Sequence, residues 1–307
     1  MNTKVLNTIR KNAWEVYQCY VDMAKPPKDS LTFINSDKYM ECCKSVYVYY
    51  TGKKKEAVQL VTQREPCNID GLGIFDKKRM EEVFGWSESY YMELYNRDNT
   101  LAQNIAIVCR TPVIGTNKKV YIINSIGSAF DNSNQPDYRH YKSTHFNINI
   151  LIESFSSTFD IVFASANDLS LQKIVLCKLG CGAFSKLYPG DFFQTIWIPS
   201  LIKSLKKNIN ILPKKVGLMG NPSKKESSLL QTIMKKYNIE YISLGNIPDI
   251  LIFEDTLYQN AWDPHSFVGN GNEADNSLDG YMGRNTVMHF MCWFPTNPYM
   301  TFISLPK

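Results

Sequence analysis

The spacing of apolar residues changes along the chain, from helical near its start to short apolar runs further on. Residues 5–24 carry apolar side chains on one helix face, and two prolines follow this pattern. A second helical pattern covers residues 76–95, and the run VYVYY at 46–50 predicts a strand. We therefore expect residues 1–95 to form a mainly helical accessory region, to which the pattern assigns no chemistry.

Short apolar strands alternate with helical stretches from residue 104 onward. Such alternation is typical of a mostly parallel sheet that helices cover on both faces. We therefore expect residues 96–307 to form a three-layer α/β/α domain, whose ligands bind in loops beyond the carboxyl ends of the strands. The predicted strands cover residues 104–110, 120–127, 174–180, 216–220, 240–245 and 249–255, and the predicted helices cover 145–157, 191–205, 227–237 and 279–292.

The composition is that of an ordinary globular chain. Of the 307 residues, 44% are apolar and 21% are charged, and no apolar run reaches the length of about 18 residues that spans a membrane. The net charge is +5 and the lysines are widely spread, which favours solvated faces over a nucleic-acid groove. The N-terminus lacks the apolar core of a secretory signal, and the 8 cysteines, without a CxxC pair, indicate free thiols in a reducing compartment. We therefore expect a cytoplasmic protein.

A glycine-rich loop follows the predicted strand 174–180. Its sequence is LGCGAF at 179–184, between a buried strand and a helix. Glycines allow backbone N–H groups to approach a ligand closely, and the start of the following helix adds positive potential that suits a phosphate. A tight turn without a ligand would have the same sequence. The candidate ligand-binding residues here are Gly180, Cys181, Gly182, Ala183 and Phe184.

A longer loop, over residues 260–280, follows the predicted strand 249–255. Its GNGN segment favours left-handed or nest-like backbone that can hold an anion, and several aspartates lie around it. A solvated loop rich in Asn and Asp, or a calcium loop, is the alternative, although the spacing does not match an EF-hand. The two loops together predict a phosphate-bearing ligand, such as a sugar diphosphate or a nucleotide sugar, beside carboxylates. The residues concerned are Gly269, Asn270, Gly271 and Asn272, with Asp255, Asp263, Asp275 and Asp279.

These segments resemble macrodomains, the fold that binds ADP-ribose. VYIINSIGSAF (120–130) resembles the macrodomain strand that reads IIHAVGP, and IVLCKLGCGAFSKLYP (174–189) resembles the strand and diphosphate loop. VGLMGNPS (216–223) resembles the last strand of the family, whose end borders adenine. The segment that opens a macrodomain has its counterpart afterwards, in DILIFED, NAWDP, GNGN and LDGYMGR. The resemblance, over residues 100–300, implies a macrodomain-like mixed sheet in a circularly permuted arrangement.

The stretch WDPHSFVGNGNEADNSLDGYMGR (262–284) is similar to a narrower group, the MavL-type macrodomain hydrolases of bacterial effectors. That group removes ADP-ribose from arginine side chains. The resemblance implies an ADP-ribosylarginine hydrolase that cleaves the N-glycosidic bond of a modified protein and releases ADP-ribose. It implies no cofactor, no metal, no nucleic acid and no membrane insertion. As an effector, such a protein would act in the cytosol of a host cell.

The acidic loop supplies the candidate catalytic residues. Cleavage between ribose C1″ and a guanidinium nitrogen develops oxocarbenium character, and paired carboxylates serve such chemistry in glycoside hydrolysis. One carboxylate would deprotonate water and another would bind the planar guanidinium. Asp263 and Asp275 are the first candidates, with Asp255 and Asp279 in reserve, although Asp279 would alternatively cap the following helix. Further contacts are expected from Asp131, to ribose or the target arginine, and from Asn221, to adenine.

Two other functions remain open from the sequence. A non-enzymatic ADP-ribose reader would use the same pocket without needing the aspartates. A hydrolase of O-glycosidic bonds, acting on poly(ADP-ribose) or on modified acidic residues, would be expected to carry paired glutamates beside a glycine-rich loop. Glu273 is the only glutamate in the loop 260–280, which argues against that function.

Overall fold

The computed structural model describes most of the predicted α/β domain and part of the region before it. The described residues are 30–62, 102–244, 254–262, 268–269, 277–292, 297 and 299–306. The helices predicted for residues 5–24 and 76–95 lie outside them.

Eight strands among the described residues form one mixed sheet. They are β1 (Val46–Tyr50), β2 (Ile105–Pro112), β3 (Lys119–Ser125), β4 (Lys173–Leu176), β5 (Lys215–Leu218), β6 (Glu240–Ile242), β7 (Thr256–Ala261) and β8 (Thr301–Ser304). The order across the sheet is β6-β5-β4-β7-β3-β2-β1-β8. β2 runs antiparallel to both of its neighbours, and all other neighbouring strands are parallel. β7 therefore separates β3 from β4, although it follows both in the chain.

Helices connect these strands and cover the sheet. They are α1 (Ser30–Ile34), α2 (Asp37–Cys43), α3 (Lys54–Thr62), α4 (Pro136–Ser143), α5 (Ile148–Asp168), α6 (Ile198–Lys207), α7 (Lys224–Lys236), α8 (Leu278–Asn285) and α9 (Met288–Met291). A π-helical turn, Phe193–Trp197, leads directly into α6, and Ala183–Ser185 forms a short 3-10 turn.

Helices pack on both faces of the sheet. On one face, the Tyr49 hydroxyl of β1 donates to the Asp168 carboxylate of α5 at 2.6 Å. Tyr49 pairs with Ala106, and Cys109, three residues further along β2, points to the opposite face. There the Cys109 side chain lies close to that of Cys292 at the end of α9. The prediction of a mixed α/β sheet covered by helices is confirmed.

The described part of residues 1–95 shares the core of the main sheet. β1 pairs with β2 in antiparallel register from Val46 to Tyr50, and β8 pairs with its other side. Cys43, Val46 and Tyr49 are completely buried in the same hydrophobic cluster as the central strands. This part of the predicted accessory region therefore completes the sheet.

The long helix α5 shows why an apolar sequence folds into the centre of the domain. The Asn147 side chain caps it by accepting from the N–H groups of Asn149 and Ile150 at 3.0 and 3.3 Å. Its buried phenylalanines meet Phe192 and Trp197 edge-to-face. Among the described helices, only α5 is long and apolar enough to cross a membrane, and half of that stretch is buried within the fold. Burial against the core accounts for its apolar character.

The position of β7 differs from the sequence prediction. Of the strand predicted for residues 249–255, only 254–255 are described; these two residues form a turn, and β7 begins after them at Thr256. Gln259 and Asn260 interrupt the apolar pattern of β7, yet both side chains are buried and hydrogen-bonded. A search for apolar runs therefore misses this strand.

The helix predicted for residues 279–292 forms as two helices, α8 and α9. Thr286 lies between them with extended backbone and pairs with Val113 in an isolated bridge. Its hydroxyl donates to the Met282 carbonyl at 2.8 Å, which satisfies one of the carbonyls left open at the end of α8. The bridge between Thr286 and Val113 thus interrupts the helix that the sequence predicts for residues 279–292.

His289 gives the fold a specific sensitivity to acid. Burial in α9 lowers the pKa of its imidazole to about 3. The unfolded chain takes up this proton near pH 6.5, so the stability from His289 is fully present above about pH 6.5 and is lost as the pH falls toward 3. We expect His289 to lower the free energy of unfolding by about 1.4 kcal/mol per pH unit within this window.

Urea unfolding of the wild type and of His289→Gln at pH 7 and pH 5 measures this effect. The wild type should lose about 2 kcal/mol more than the variant between these pH values, because glutamine has no proton to gain. Equal losses in both proteins would contradict the assignment to His289.

Candidate functional site

Four loops leave the sheet at one end of its strands, the ligand edge. Here the carboxyl ends of the parallel strands β3, β7, β4 and β5 lie side by side. Ser125 of β3 pairs with Ala261 of β7, and Leu176 of β4 pairs with Leu218 of β5. Both loops that the sequence marks for ligand binding, 179–184 and 260–280, start at this edge. Ligands of parallel sheets bind at such edges, so the structure brings the two predicted halves of the site to one place.

The loop after β4 presents bare backbone to solvent. Gly180 has a φ of +73°, and a Cβ there would lie 3.2 Å from the Phe192 ring, so glycine suits both its backbone and its surroundings. A Cβ at Gly182 would meet no heavy atom within 4 Å. Ala183 and Phe184 are exposed on the turn that follows. The open space beside Gly182 gives a ligand direct access to the main chain.

Three consecutive N–H groups of this loop have no hydrogen-bond acceptor among the residues that the structure describes. Within that part of the chain, the backbone N–H groups of Gly182, Ala183 and Phe184 donate to no other group, whereas the carbonyls of the same residues all accept. Backbone N–H groups left open in succession are typical of anion-binding concavities. The geometry of this loop therefore suits a phosphate.

The loop after β3 holds this turn in place. The Phe130 N–H donates to the Phe184 carbonyl at 2.7 Å, and the Leu187 N–H donates to the Phe130 carbonyl at 2.8 Å. A Cβ at Gly127 would lie 3.1 Å from Leu179 Cγ, so the two loops also pack closely at their bases. The buried Phe130 ring contacts the rings of Tyr141, Phe146, Tyr188 and Phe192. The turn at 183–185 is thus fixed by backbone pairing on an aromatic base.

Asp131 follows Phe130 directly and is half-buried beside this turn. Its Oδ1 atom is buried and has no hydrogen-bond partner among the residues that the structure describes. Among the described residues, its Oδ2 atom accepts from the Asn132 side chain alone, at 3.4 Å. The residue that follows Phe130, the backbone partner of Phe184, therefore keeps one unsatisfied carboxylate oxygen within the described structure.

Burial disfavours the thiolate form of the two cysteines near the site. It raises the pKa of the Cys177 thiol to about 12 and also raises the pKa of the Cys181 thiol, so both thiols are weak nucleophiles near neutral pH. The six described cysteines are all free thiols, as the sequence predicts. Cys181 therefore belongs to the site through its backbone.

Buried side chains tie the acidic loop to the sheet. The Asn260 amide of β7 donates to Asp279 Oδ1 of α8 at 2.6 Å and to Asn124 Oδ1 of β3 at 2.9 Å. The Gly269 N–H donates to the same Asp279 oxygen at 2.7 Å. The two ends of the loop and a point within it therefore share one carboxylate. Ser277, whose hydroxyl accepts from the Gly280 N–H at 3.3 Å, caps α8, so the alternative role of Asp279 as the cap is wrong.

Gly269 and Gly283 allow this loop to lie directly on α8. Gly269 has a φ of +84°, and a Cβ on Gly283 would lie 2.0 Å from the Gly269 carbonyl oxygen. Backbone meets backbone here, so no side chain can move to relieve a clash. The Gly269 N–H, predicted as a diphosphate contact, is already paired with Asp279.

The remaining candidates fall into three groups. Asp255 precedes β7, and its carboxylate pairs with Lys173 Nζ at 3.0 Å, at the amino end of β4. The six residues of β7 separate it from the loops by roughly 20 Å, so Asp255 is not part of the site. Asn221 lies after β5 at the same edge as the loops, exposed and with a φ of +49°. Asp263, Asn270, Gly271, Asn272 and Asp275 lie outside the described residues.

Sequence analysis missed a row of buried polar groups at the ends of β3 and β7. The side-chain oxygen of Gln259, Oε1, accepts from the Cys177 N–H at 3.2 Å. The side-chain nitrogen, Nε2, is buried and has no partner among the described residues. Ser125 Oγ and Asn260 Oδ1 are likewise buried and unpartnered within the described residues. The signal was the pairs Asn-Ser and Gln-Asn at the carboxyl ends of strands otherwise rich in apolar residues. Polar groups at such positions serve the ligand edge or its loops.

A separate groove of about 840 Å³ lies between α5, the end of α6 and the β1–β8 side of the sheet. Its charged groups are engaged within the fold. Asp160 pairs with Lys207 at 2.9 Å and also accepts from Asn208 at 2.7 Å, and Glu153 forms an ion pair with Lys203. These contacts join α5 to α6, so the groove is a weaker functional candidate than the loop edge.

Comparisons with known proteins give no family assignment. No protein-family model matches the sequence, and no curated protein matches it.

Proposed function

We propose that this protein is a circularly permuted macrodomain that binds ADP-ribose at the edge formed by the loops after β3, β4 and β7. The observation that carries the proposal is the set of three open N–H groups at Gly182, Ala183 and Phe184. Their donors would bind the diphosphate. A circular permutation requires the strand before the acidic loop to lie beside the strands that carry the other two motifs. β7 lies between β4 and β3, which supports the permutation.

The proposed reaction is hydrolysis of mono-ADP-ribose from arginine. A water oxygen attacks ribose C1″, the bond from C1″ to the guanidinium nitrogen breaks, and its electron pair stays on that nitrogen. A carboxylate takes the proton from water and returns it to the leaving guanidine. Asp263 and Asp275 are proposed for this role, since their loop is anchored at Asn260 and Asp279 on the ligand edge.

A reader that binds ADP-ribose without cleaving it is the second candidate. The binding half of the site, with its open N–H groups, is complete without any carboxylate of the acidic loop. Asp255, one of the four carboxylates predicted for catalysis, lies at the opposite end of the strands. A test of function must therefore measure binding and cleavage separately.

Calorimetry with ADP-ribose tests the binding site. Gly182→Glu should weaken binding more than tenfold, above about 1.4 kcal/mol, because it places a carboxylate beside the phosphates. Gly182→Ala is the matched control: its Cβ meets no described atom within 4 Å, and it takes on the same backbone strain at ψ −132° without the charge, so it should weaken binding clearly less than Gly182→Glu. Absence of ADP-ribose binding by the wild type would remove the macrodomain proposal.

Incubation with arginine-, serine- and glutamate-linked ADP-ribosyl proteins tests the reaction. Release of free ADP-ribose from the arginine-linked protein alone is the expected result. Release from the other linkages would assign an O-glycosidic activity instead. Binding without release from any linkage would favour the reader.

A further inference from the structure

Asp131 carries a carboxylate oxygen that the described fold leaves unsatisfied. Its Oδ1 is buried without a partner, and its Oδ2 has only the long contact of 3.4 Å with Asn132. No lysine or arginine among the described residues forms an ion pair with it. A buried carboxylate oxygen without a donor is unfavourable, so its presence indicates that a donor reaches it from beyond the described residues.

The position of Asp131 relates this missing donor to the proposed ligand. Phe130, the residue before it, pairs with Phe184 through the backbone, and Phe184 ends the run of three open N–H groups. A ligand whose diphosphate lies on those N–H groups therefore has Asp131 at its border. The loop leaves the space beside Gly182 open, because a Cβ at this position would have no described heavy atom within 4 Å.

Charge decides which part of the ligand reaches Asp131. A carboxylate beside a diphosphate repels it, unless a cation lies between the two. Of the basic residues beside the loop, Lys178 is already paired with Glu226 at 3.3 Å, and Lys186 is exposed at the end of the turn. A ribose hydroxyl would supply a hydrogen bond but leave both negative charges uncompensated, whereas a guanidinium supplies positive charge and two parallel N–H donors.

We propose that Asp131 forms the guanidinium subsite of the enzyme and binds the arginine side chain to which ADP-ribose is attached. The subsite rests on the proposed function, because it presumes ADP-ribose on the adjacent N–H groups. It gives Asp131 the role of distinguishing arginine-linked ADP-ribose from other linkages. Free ADP-ribose has no cationic group for it to bind.

Comparison of two ligands on Asp131→Asn tests the subsite. The affinity for ADP-ribosylarginine, or kcat/KM where the compound is cleaved, should fall at least tenfold. The affinity for free ADP-ribose should stay the same or increase, because a negative charge near the diphosphate is removed. Asp131→Lys should increase the difference between the two affinities. Free ADP-ribose should bind more tightly than to the wild type, and ADP-ribosylarginine should bind more weakly than to Asp131→Asn.

Asp191→Asn is the matched control for loss of one carboxylate from the same loop region. Asp191 Oδ1 already accepts from the Gln194 N–H at 3.0 Å, and the asparagine oxygen can accept in its place. Both affinities should therefore remain at the wild-type value in this variant. Thermal unfolding of each variant reports whether the fold is kept.

The outcomes separate the subsite from the proposed function. Equal losses for both ligands in Asp131→Asn would overturn the subsite and assign Asp131 to ribose. Unchanged affinity for both ligands in Asp131→Asn and Asp131→Lys would also overturn it, while wild-type binding of ADP-ribose would leave the proposed function standing. A wild type that binds neither ligand would overturn both.

Discussion

Replacement of the water-activating aspartate, Asp263 or Asp275, by asparagine is expected to slow release of ADP-ribose from arginine-modified protein by about 10²–10⁴-fold. This is the usual effect of removing a positioned general base. Binding of free ADP-ribose should change little, since the diphosphate contacts lie on the loop after β4. The measurement is the initial rate of ADP-ribose release by each variant, together with its affinity for free ADP-ribose.

Asp255→Asn provides the comparison for this prediction. Asp255 lies at the amino end of β7 in an ion pair with Lys173, so its variant should release ADP-ribose at the wild-type rate. If Asp263→Asn and Asp275→Asn both keep the wild-type rate, the acidic loop does not supply the general base. If Asp255→Asn alone slows release, the placement of the reaction at the loop edge is wrong.

Gly283→Ala is expected to destabilise the protein by about 3 kcal/mol or more, at the upper end of the effects of overpacking. The new Cβ would lie 2.0 Å from the Gly269 carbonyl oxygen, and neither backbone can move without breaking the bond from Gly269 to Asp279. Urea unfolding measures the loss. Gly182→Ala, where the added Cβ has free space and only the backbone angle ψ of −132° is unfavourable, should lose much less stability than Gly283→Ala.

A smaller loss in Gly283→Ala would mean that the loop moves off α8 rather than straining the helix. The hydrolysis rate then becomes the informative measurement, because a displaced loop would no longer hold its aspartates at the ligand edge. Wild-type stability together with a wild-type rate would contradict the importance of this contact.

The sequence was sufficient for the general architecture because most strands are short apolar runs bounded by turns. The strands around Ile107, Ile122 and Ile174 were predicted where the structure has them, and the two loops were predicted to share the carboxyl edge. Apolar pattern and strand–helix alternation are local signals, and parallel strands bring their carboxyl ends together by geometry alone.

Tertiary contacts explain what the sequence could not supply. The polar residues Gln259 and Asn260 hide β7 from a search for apolar runs. The partners that satisfy their side chains, Cys177 and Asp279, are not neighbours in the sequence. Because β7 begins after Asp255, that residue lies at the amino end of the strand, away from the loops. Asp279 was assigned to catalysis or capping, because no sequence pattern reveals a carboxylate shared by Asn260 and Gly269.

The location of β7 has a consequence for how the chain reaches its folded state. Tyr121 of β3 pairs with Leu257 of β7, which is 136 positions later in the sequence, and β4 pairs with the other side of the same strand. Until residues 256–261 have left the ribosome, the sheet consists of two halves with unpaired inner edges. Contacts of such long range form slowly, and open edges invite association with other chains. The ligand edge is thus assembled only when the last central strand joins the two halves, and a shortened chain that lacks it would have no binding site to retain.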